Sequence, residues 1–471
     1  MEDFEESDMS FGEMMDLIRQ YEDAEKTNRQ LFLDEESYER IVEFYQDNRE
    51  FKRALSVIEN ALTHYSYSSV FFIKKAEVLT EQNKLTEALE ALEEAEKFTQ
   101  NDIAVFLIRA DIFLSQGKHE MALDVLKYAQ SIAEDSDDIC DLFLEKADVY
   151  EDMGLYLEVI DALQEVLKHN PENEEALNRI WFCVELTGKY EESMLFHKMM
   201  VDKFPYNHLA WFNLGHAYTG LEKYDEALEA FGFVTAIEEE FEPAYIFTGD
   251  VYFYKNEFNA ALDAYHEALK IAKPNKDIFY KVAECYEQLK DFHKARVYLR
   301  KAIAIDPYFD EAFFKIGETY REEENLPKAI TAFERALKIS PENIDFLSTL
   351  GDALIMNAEV DRAVPVLEKV LELDPKTKSH YIHLATAYYG IEDFRACFDT
   401  LTLASDKFED AADIYFIKFV FYYQIGNKNE GIVNLEKGLL INFEEHSIIF
   451  DLDPLLIEDD TIMAVIEQYR N

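Results

Sequence analysis

Glycine and proline are scarce in this chain, at 14 and 10 of 471 residues. So few breakers suit a nearly all-helical chain. The four cysteines, Cys140, Cys183, Cys285 and Cys397, form no Cys-x-x-Cys pair. They read as small buried hydrophobes in a reducing compartment. No run of 18 apolar residues occurs; the nearest approach, Ile414 to Ile425, is short and carries Lys418. That stretch is a buried helix and not a membrane span. Basic side chains number 46 against 97 acidic ones, leaving a net charge of −51. Direct binding to nucleic acid is therefore not expected, because it requires Lys and Arg to neutralise phosphates. The opening Met1-Glu2-Asp3-Phe4-Glu5-Glu6 has no signal-peptide character, so a cytoplasmic location is the default expectation.

What is present is a period. Apolar residues fall at Phe313, Ile316 and Tyr320 beside Gly317, then at Ala329, Phe333 and Ala336. Each set is a helical stripe. Glu324 and Asn325 separate them, Pro327 suits a first helical turn, and Pro341 closes the unit. Asp310 to Asn343 thus reads as two antiparallel helices and two tight turns. Gly317 and Ala329 stand where the helices would cross closely, with Phe313, Tyr320 and Phe333 filling the space around them. Neither helix can bury its stripe alone, which is the logic of a stacked repeat.

Pro171, Pro205, Pro307, Pro341 and Pro375 lie at multiples of 34 from one another. Alanines keep that period at Ala54, Ala88 and Ala122, and after one offset at Ala227, Ala261, Ala295, Ala329 and Ala363. Trp211, Leu214, Gly215, Tyr218, Ala227 and Phe231 mark the unit starting at His208; Tyr245, Gly249, Tyr252, Ala261, Tyr265 and Ala268 mark the next. This pattern resembles the tetratricopeptide repeat family, in a repeat-only, bacterial-type arrangement. The resemblance implies an all-α fold, an α-solenoid in the form of a right-handed superhelix of twelve helix-turn-helix repeats.

In order, residues 1–34 are an acidic tail and a capping helix, with Met1 to Ser10 expected to be disordered. Phe11, Met14, Met15, Ile18 and Tyr21 form the stripe that would cover the open face of the first repeat. Repeats one to three span 35–136. Residues 137–139 are an insertion, which with the acidic run Glu134 to Asp138 predicts a long exposed turn. Repeats four to twelve span 140–445 without a slip in phase. Residues 446–471 close the array, with Ile462, Val465, Ile466 and Tyr469 on the inner face of a last helix. Trp181 and Phe419 stand where a small residue is expected, and Gly431 and Gly438 replace alanines, so helix spacing should change locally. Lys75, Arg109 and Lys146 occupy a usually apolar position, where their stems can pack while the charged ends reach water.

No catalytic constellation is visible: there is no Gly-rich phosphate loop, no Gly-x-Ser-x-Gly and no His-Glu-x-x-His. His380 and His383 could share a helix face as metal ligands, but no Cys or third His lies nearby, so they read as surface or interface histidines. No cofactor is implied, and the chain is read as non-enzymatic.

A second stripe runs along the first helix of each unit. The fifth position reads Ile73, Leu107, Leu144, Phe212, Ile246, Tyr280, Phe314, Ile382 and Phe416. The ninth reads Glu43, Glu77, Asp111, Asp148, Asp250, Glu284, Glu318 and Asp352. By the family resemblance this stripe lines a concave groove. One reading has the fifth-position residues packing against the neighbouring first helix while the acids only solubilise. The other has the two rows binding a basic, amphipathic peptide or helix. The resemblance also counts against a clamp for acidic chaperone tails, since such clamps use groove Lys and Asn where this chain has Asp and Glu. The functions left open are an interaction scaffold or adaptor, a chaperone-like holder of nascent or basic clients, and a regulatory subunit docking on an enzyme.

Overall fold

A computed structural model describes residues 11–27, 29, 31–271, 273–408 and 411–470 of the chain, without the side chain of Phe11. The expected disorder of Met1 to Ser10 lies outside the described residues. Among these residues every regular element is helical, and the fold is an all-α solenoid of stacked helix pairs. The first helices of successive pairs begin at Glu35, Ser69, Ile103, Ser136, Glu174, His208, Glu242, Lys276, Asp310, Ile344, Lys378 and Ala412. Apart from the fourth, each begins on the first residue of its repeat.

The chain divides into two compact units, Met1–Ala244 and Tyr245–Asn471. In the first, the helix Phe11–Lys26 buries Ile18 and Tyr21 against Tyr38, Ile41, Val57 and Ile58. Tyr21 meets Tyr38 edge-on at 6.3 Å, and Glu22 reaches Arg53 at 3.4 Å. In the second, the helix Asp460–Gln468 buries Ile462 and Ile466 in the cluster that holds Phe416 and Phe419. Val465 and Tyr469 pack there half-buried. Short helices at Phe443–Ser447, Ile448–Leu452 and Pro454–Glu458, which the periodicity does not reveal, bring it into place. Both ends of the described array are thus covered by non-repeat helices, as stacked units require.

Several pairs are locked by a small residue facing a large one. A Cβ at Gly215 would stand 2.7 Å from Phe231, at Gly249 2.4 Å from Tyr265, and at Gly351 2.6 Å from Leu367. The turn joining the two helices carries a left-handed residue at position fifteen of all twelve repeats. It is glycine at Gly117, Gly154, Gly188 and Gly426, and another residue in the other eight, such as Arg49, Lys290 and Ala358.

The insertion departs from expectation. Residues 137–139 do not form a long turn; they belong to the helix Ser136–Asp152, which gains a turn at its N-terminus. The Asp135 carboxylate caps it by accepting from the Ser136 N–H, and Asp137 and Asp138 lie in its first turn. Acidic side chains are favoured there by the partial positive charge of the helix start, so the acidic run begins a helix instead of interrupting one. Arg109 and Lys146 also find partners: Arg109 reaches Glu96 at 2.9 Å, and Lys146 donates to the Gln130 side chain and lies 5.1 Å from the Phe143 ring.

Candidate functional site

The fifth-position row is built into the array more than it is displayed. Ile73, Phe212 and Phe416 are buried, and Leu107, Leu144, Ile246, Tyr280, Phe314 and Ile382 are half-buried. Phe212 packs on Phe231 and, edge-on at 5.4 Å, on Phe241. Phe314 stacks on Phe346 at 4.4 Å, and Tyr280 meets Phe309 at 5.3 Å. These rings tie each first helix to its surroundings. A ligand could reach only the edges of the half-buried ones.

The ninth-position acids are half-buried except for Glu43, which is exposed. Four of the eight are occupied by a partner that the period contains but that sequence reading did not pick out: a Lys, Arg or His at position six of the following repeat. Lys74 reaches Glu43 at 3.1 Å, Arg179 reaches Asp148 at 2.6 Å, and Lys281 reaches Asp250 at 2.7 Å. His383 lies 3.5 Å from Asp352 by the same register. Several of these cations also bond within their own repeat, Lys74 to Glu77 at 3.4 Å and Lys315 to Glu318 at 3.4 Å. Lys315 additionally reaches Glu287 at 3.3 Å. The Tyr265 hydroxyl also donates to Asp250, to the same carboxylate oxygen that Lys281 reaches, at 2.6 Å. The signal was present as a recurrent Lys, Arg or His at position six, but it emerges only when neighbouring repeats are stacked.

The ladder inverts at the fourth repeat. There position six is Glu145, facing Asp111 of the preceding repeat and Asp148 of its own. Burial, together with the Asp111 and Asp148 charges, pushes the Glu145 carboxyl up to about 8. Burial and Asp148 raise Asp111 as well. Arg179 draws on Asp148 from the other side, but no cation forms an ion pair with Asp111 or Glu145 among the described residues. Where the second, fifth, eighth and ninth repeats place Lys74, Arg179, Lys281 and Lys315, this one places a third carboxyl.

Burial raises Glu284 against the pull of Lys315 and Lys281. His380 faces Asp374 at 3.3 Å, so it and His383 serve different carboxylates. Among the described residues no group of three His, Cys, Asp or Glu side chains is placed to hold a metal ion, and no helix is long and apolar enough to cross a membrane. All four cysteines are buried free thiols.

Tetratricopeptide repeat models match residues 208–236, 277–309 and 320–388. Those segments carry tetratricopeptide repeats. No curated protein matches it in sequence. In structure the chain is similar to a chain of the APC/C hetero-tetramer Cut9–Hcn1, with 16% identity, coverage of 86% of this chain and 96% of that one, and a TM-score of 0.38. It is also similar to the C-terminal part of a tetratricopeptide repeat protein from Cytophaga hutchinsonii, at 17% identity over 54% and 98% of the two chains with a TM-score of 0.45. YrrB, described as a tetratricopeptide repeat protein with an unusual peptide-binding site, shares 20% identity over 39% of this chain and 95% of its own, with a TM-score of 0.33.

Proposed function

We propose that the chain is a non-enzymatic scaffold whose first helices take a basic, amphipathic peptide or helix, with Asp111, Glu145 and Asp148 as the point of entry. The observation that carries this reading is the inverted ladder. The flanking acids Glu77 and Asp148 are paired with Lys74 and Arg179, whereas the array supplies no cation to Asp111 and Glu145 among the described residues, and a ligand Lys or Arg would stand in that place. Half-buried Leu107 and Leu144 offer apolar edges beside it, as Tyr280 and Phe314 do beside Glu284 and Glu318. The net charge of −51 steers a basic partner toward the chain and repels a nucleic-acid backbone. A cytoplasmic setting would keep the four thiols reduced.

The test is calorimetric titration with an amphipathic Lys- and Leu-bearing peptide in buffers of different ionisation enthalpy. Placing a cation beside Glu145 lowers its raised pKa, so binding near neutral pH should release protons. The double substitution Asp111→Asn, Glu145→Gln should weaken binding and abolish that release, and added salt should weaken binding without eliminating it. Binding that releases no protons and tolerates both substitutions would place the functional surface elsewhere on the array.

A further inference from the structure

Within the second unit, the helices Phe292–Ile305, Asp310–Glu322 and Leu326–Ile339 line an open cavity of about 440 Å³. Its floor is apolar: Ile303, Phe313, Ile316, Tyr320 and Ala332. At its rim stand Arg300, Lys328 and Arg335, all exposed. No carboxylate lines it. We propose that this cavity binds an acidic peptide segment that carries one apolar or aromatic side chain.

The argument rests on charge complementarity against the background of the whole chain. Asp and Glu outnumber Lys and Arg by 97 to 46, so a pocket lined by three cations and no carboxylate departs from the chain's average composition. Neighbouring Arg296 bonds Glu323 at 3.0 Å, and Lys315 bonds Glu287 at 3.3 Å. Arg300, Lys328 and Arg335 form no ion pair among the described residues. Tyr320 is held in the wall between them: Arg296 lies 4.3 Å and Lys328 5.3 Å from its ring centroid, and Arg300 Nη2 is 3.5 Å from its hydroxyl. Three unpaired cations around an apolar floor suit carboxylates flanking an apolar side chain, with Arg able to grip each carboxylate by two parallel hydrogen bonds. The volume lies in the ordinary range for ligand sites, roughly 300–1,000 Å³. These residues lie at positions other than the fifth, sixth and ninth, so this inference does not rest on the function proposed above. The chain's overall negative charge opposes an acidic ligand at long range. Screening over ~8 Å at physiological salt leaves the local cations in control once the ligand is close.

The experiment is fluorescence polarisation on the full chain at physiological salt, with a labelled peptide Asp-Glu-Phe-Asp-Glu as probe. Arg300→Ala with Arg335→Ala changes only exposed side chains, and circular dichroism checks that the fold is kept. The probe should bind, and the double substitution should weaken it tenfold or more. Replacing the peptide's aromatic residue by glycine should weaken it comparably. Ala332→Met, which fills the floor, should reduce binding with the rim intact. Asp111→Asn with Glu145→Gln should leave it unchanged. Failure to bind, or equal binding by the rim variant, would overturn the proposal. So would a peptide without the aromatic residue, or inorganic phosphate, competing as well as the probe, since either would mark a simple anion site.

Discussion

Gly317 lies under the ring of Phe333, so close that a Cβ at Gly317 would stand 2.4 Å from Phe333 Cε1 and 2.5 Å from Cδ1. The last repeat reverses the sizes. Phe419 takes the position of Gly317, a Cβ at Gly431 would stand 3.4 Å from the Phe419 carbonyl oxygen, and a Cβ at Gly438 would stand 2.6 Å from Phe416. These pairs of helices therefore approach through one small and one large surface, and which helix supplies which can be exchanged.

Gly317→Ala should accordingly destabilise the array by about 1–3 kcal/mol, the usual cost of overpacking. Phe333→Leu should restore part of that loss in the double variant while being destabilising alone, because it frees the space the new methyl needs. Denaturant midpoints of the four chains form the cycle that checks it.

A second prediction comes from the turns. Ala358 has φ of 59°, and its counterpart Gly188 has φ of 68° with nothing within 4 Å of where a Cβ would be. A non-glycine residue in this region carries a penalty of roughly 1–2 kcal/mol. Ala358→Gly should raise stability by about 1 kcal/mol, and Gly188→Ala should lower it by a similar amount, both read from thermal melts. Equal melts would mean that the turn relaxes out of the left-handed region when it carries a side chain.

That turn also shows why part of the fold was legible in the sequence and part was not. The period of 34 set where first helices begin because a helix start recurs at one register position, as at Glu174, His208 and Asp310. Capping by Ile18 and Tyr21 was legible because a lone amphipathic helix must bury its stripe somewhere. Position fifteen was not, because Arg49, Lys290 and Ala358 give no glycine signal; the geometry of the pair imposes the conformation on whatever residue stands there. The insertion at 137–139 was misread because acidic residues suit exposed turns and helix starts equally well. The ion ladder was hidden for another reason. Arg179 and Asp148 lie in different repeats, and their pairing appears only when the repeats are stacked.

His197 gives a pH prediction. It takes the place held by Phe231 and Phe333 in other repeats and is completely buried. Its Nδ1–H donates to the Ser193 carbonyl at 2.9 Å, and Nε2 has no hydrogen-bond partner. Burial lowers its pKa from 6.5 to about 4. The unfolded chain therefore binds a proton that the folded chain refuses between those values. Stability is unaffected above pH 6.5 and falls as pH drops toward 4, by an amount on the order of 3 kcal/mol. His197→Leu should flatten the denaturant midpoint over that window. An unchanged slope would mean that the imidazole is solvated or protonated in the folded state.

Glu145 carries the opposite kind of linkage. Its carboxyl, held at about 8, keeps its proton in the folded chain where the unfolded chain loses it near 4.5. The resulting stabilisation is complete below pH 4.5 and is lost as pH rises through about 8. Glu145→Gln should match the natural chain at pH 4.5 and exceed it increasingly up to pH 8, as read from melting temperature. Glu145→Lys goes further, restoring at position six the cation that Lys74, Lys281 and Lys315 supply to neighbouring acids. At neutral pH it should be at least as stable as Glu145→Gln. Any advantage should fade with salt, because partly exposed ion pairs are worth only about 0–1 kcal/mol and are screened. The same change fills with an internal cation the place proposed for a ligand's Lys or Arg, so a chain that gains stability should lose affinity for a basic peptide. Gain of stability with undiminished binding would separate the carboxyl cluster from the ligand site.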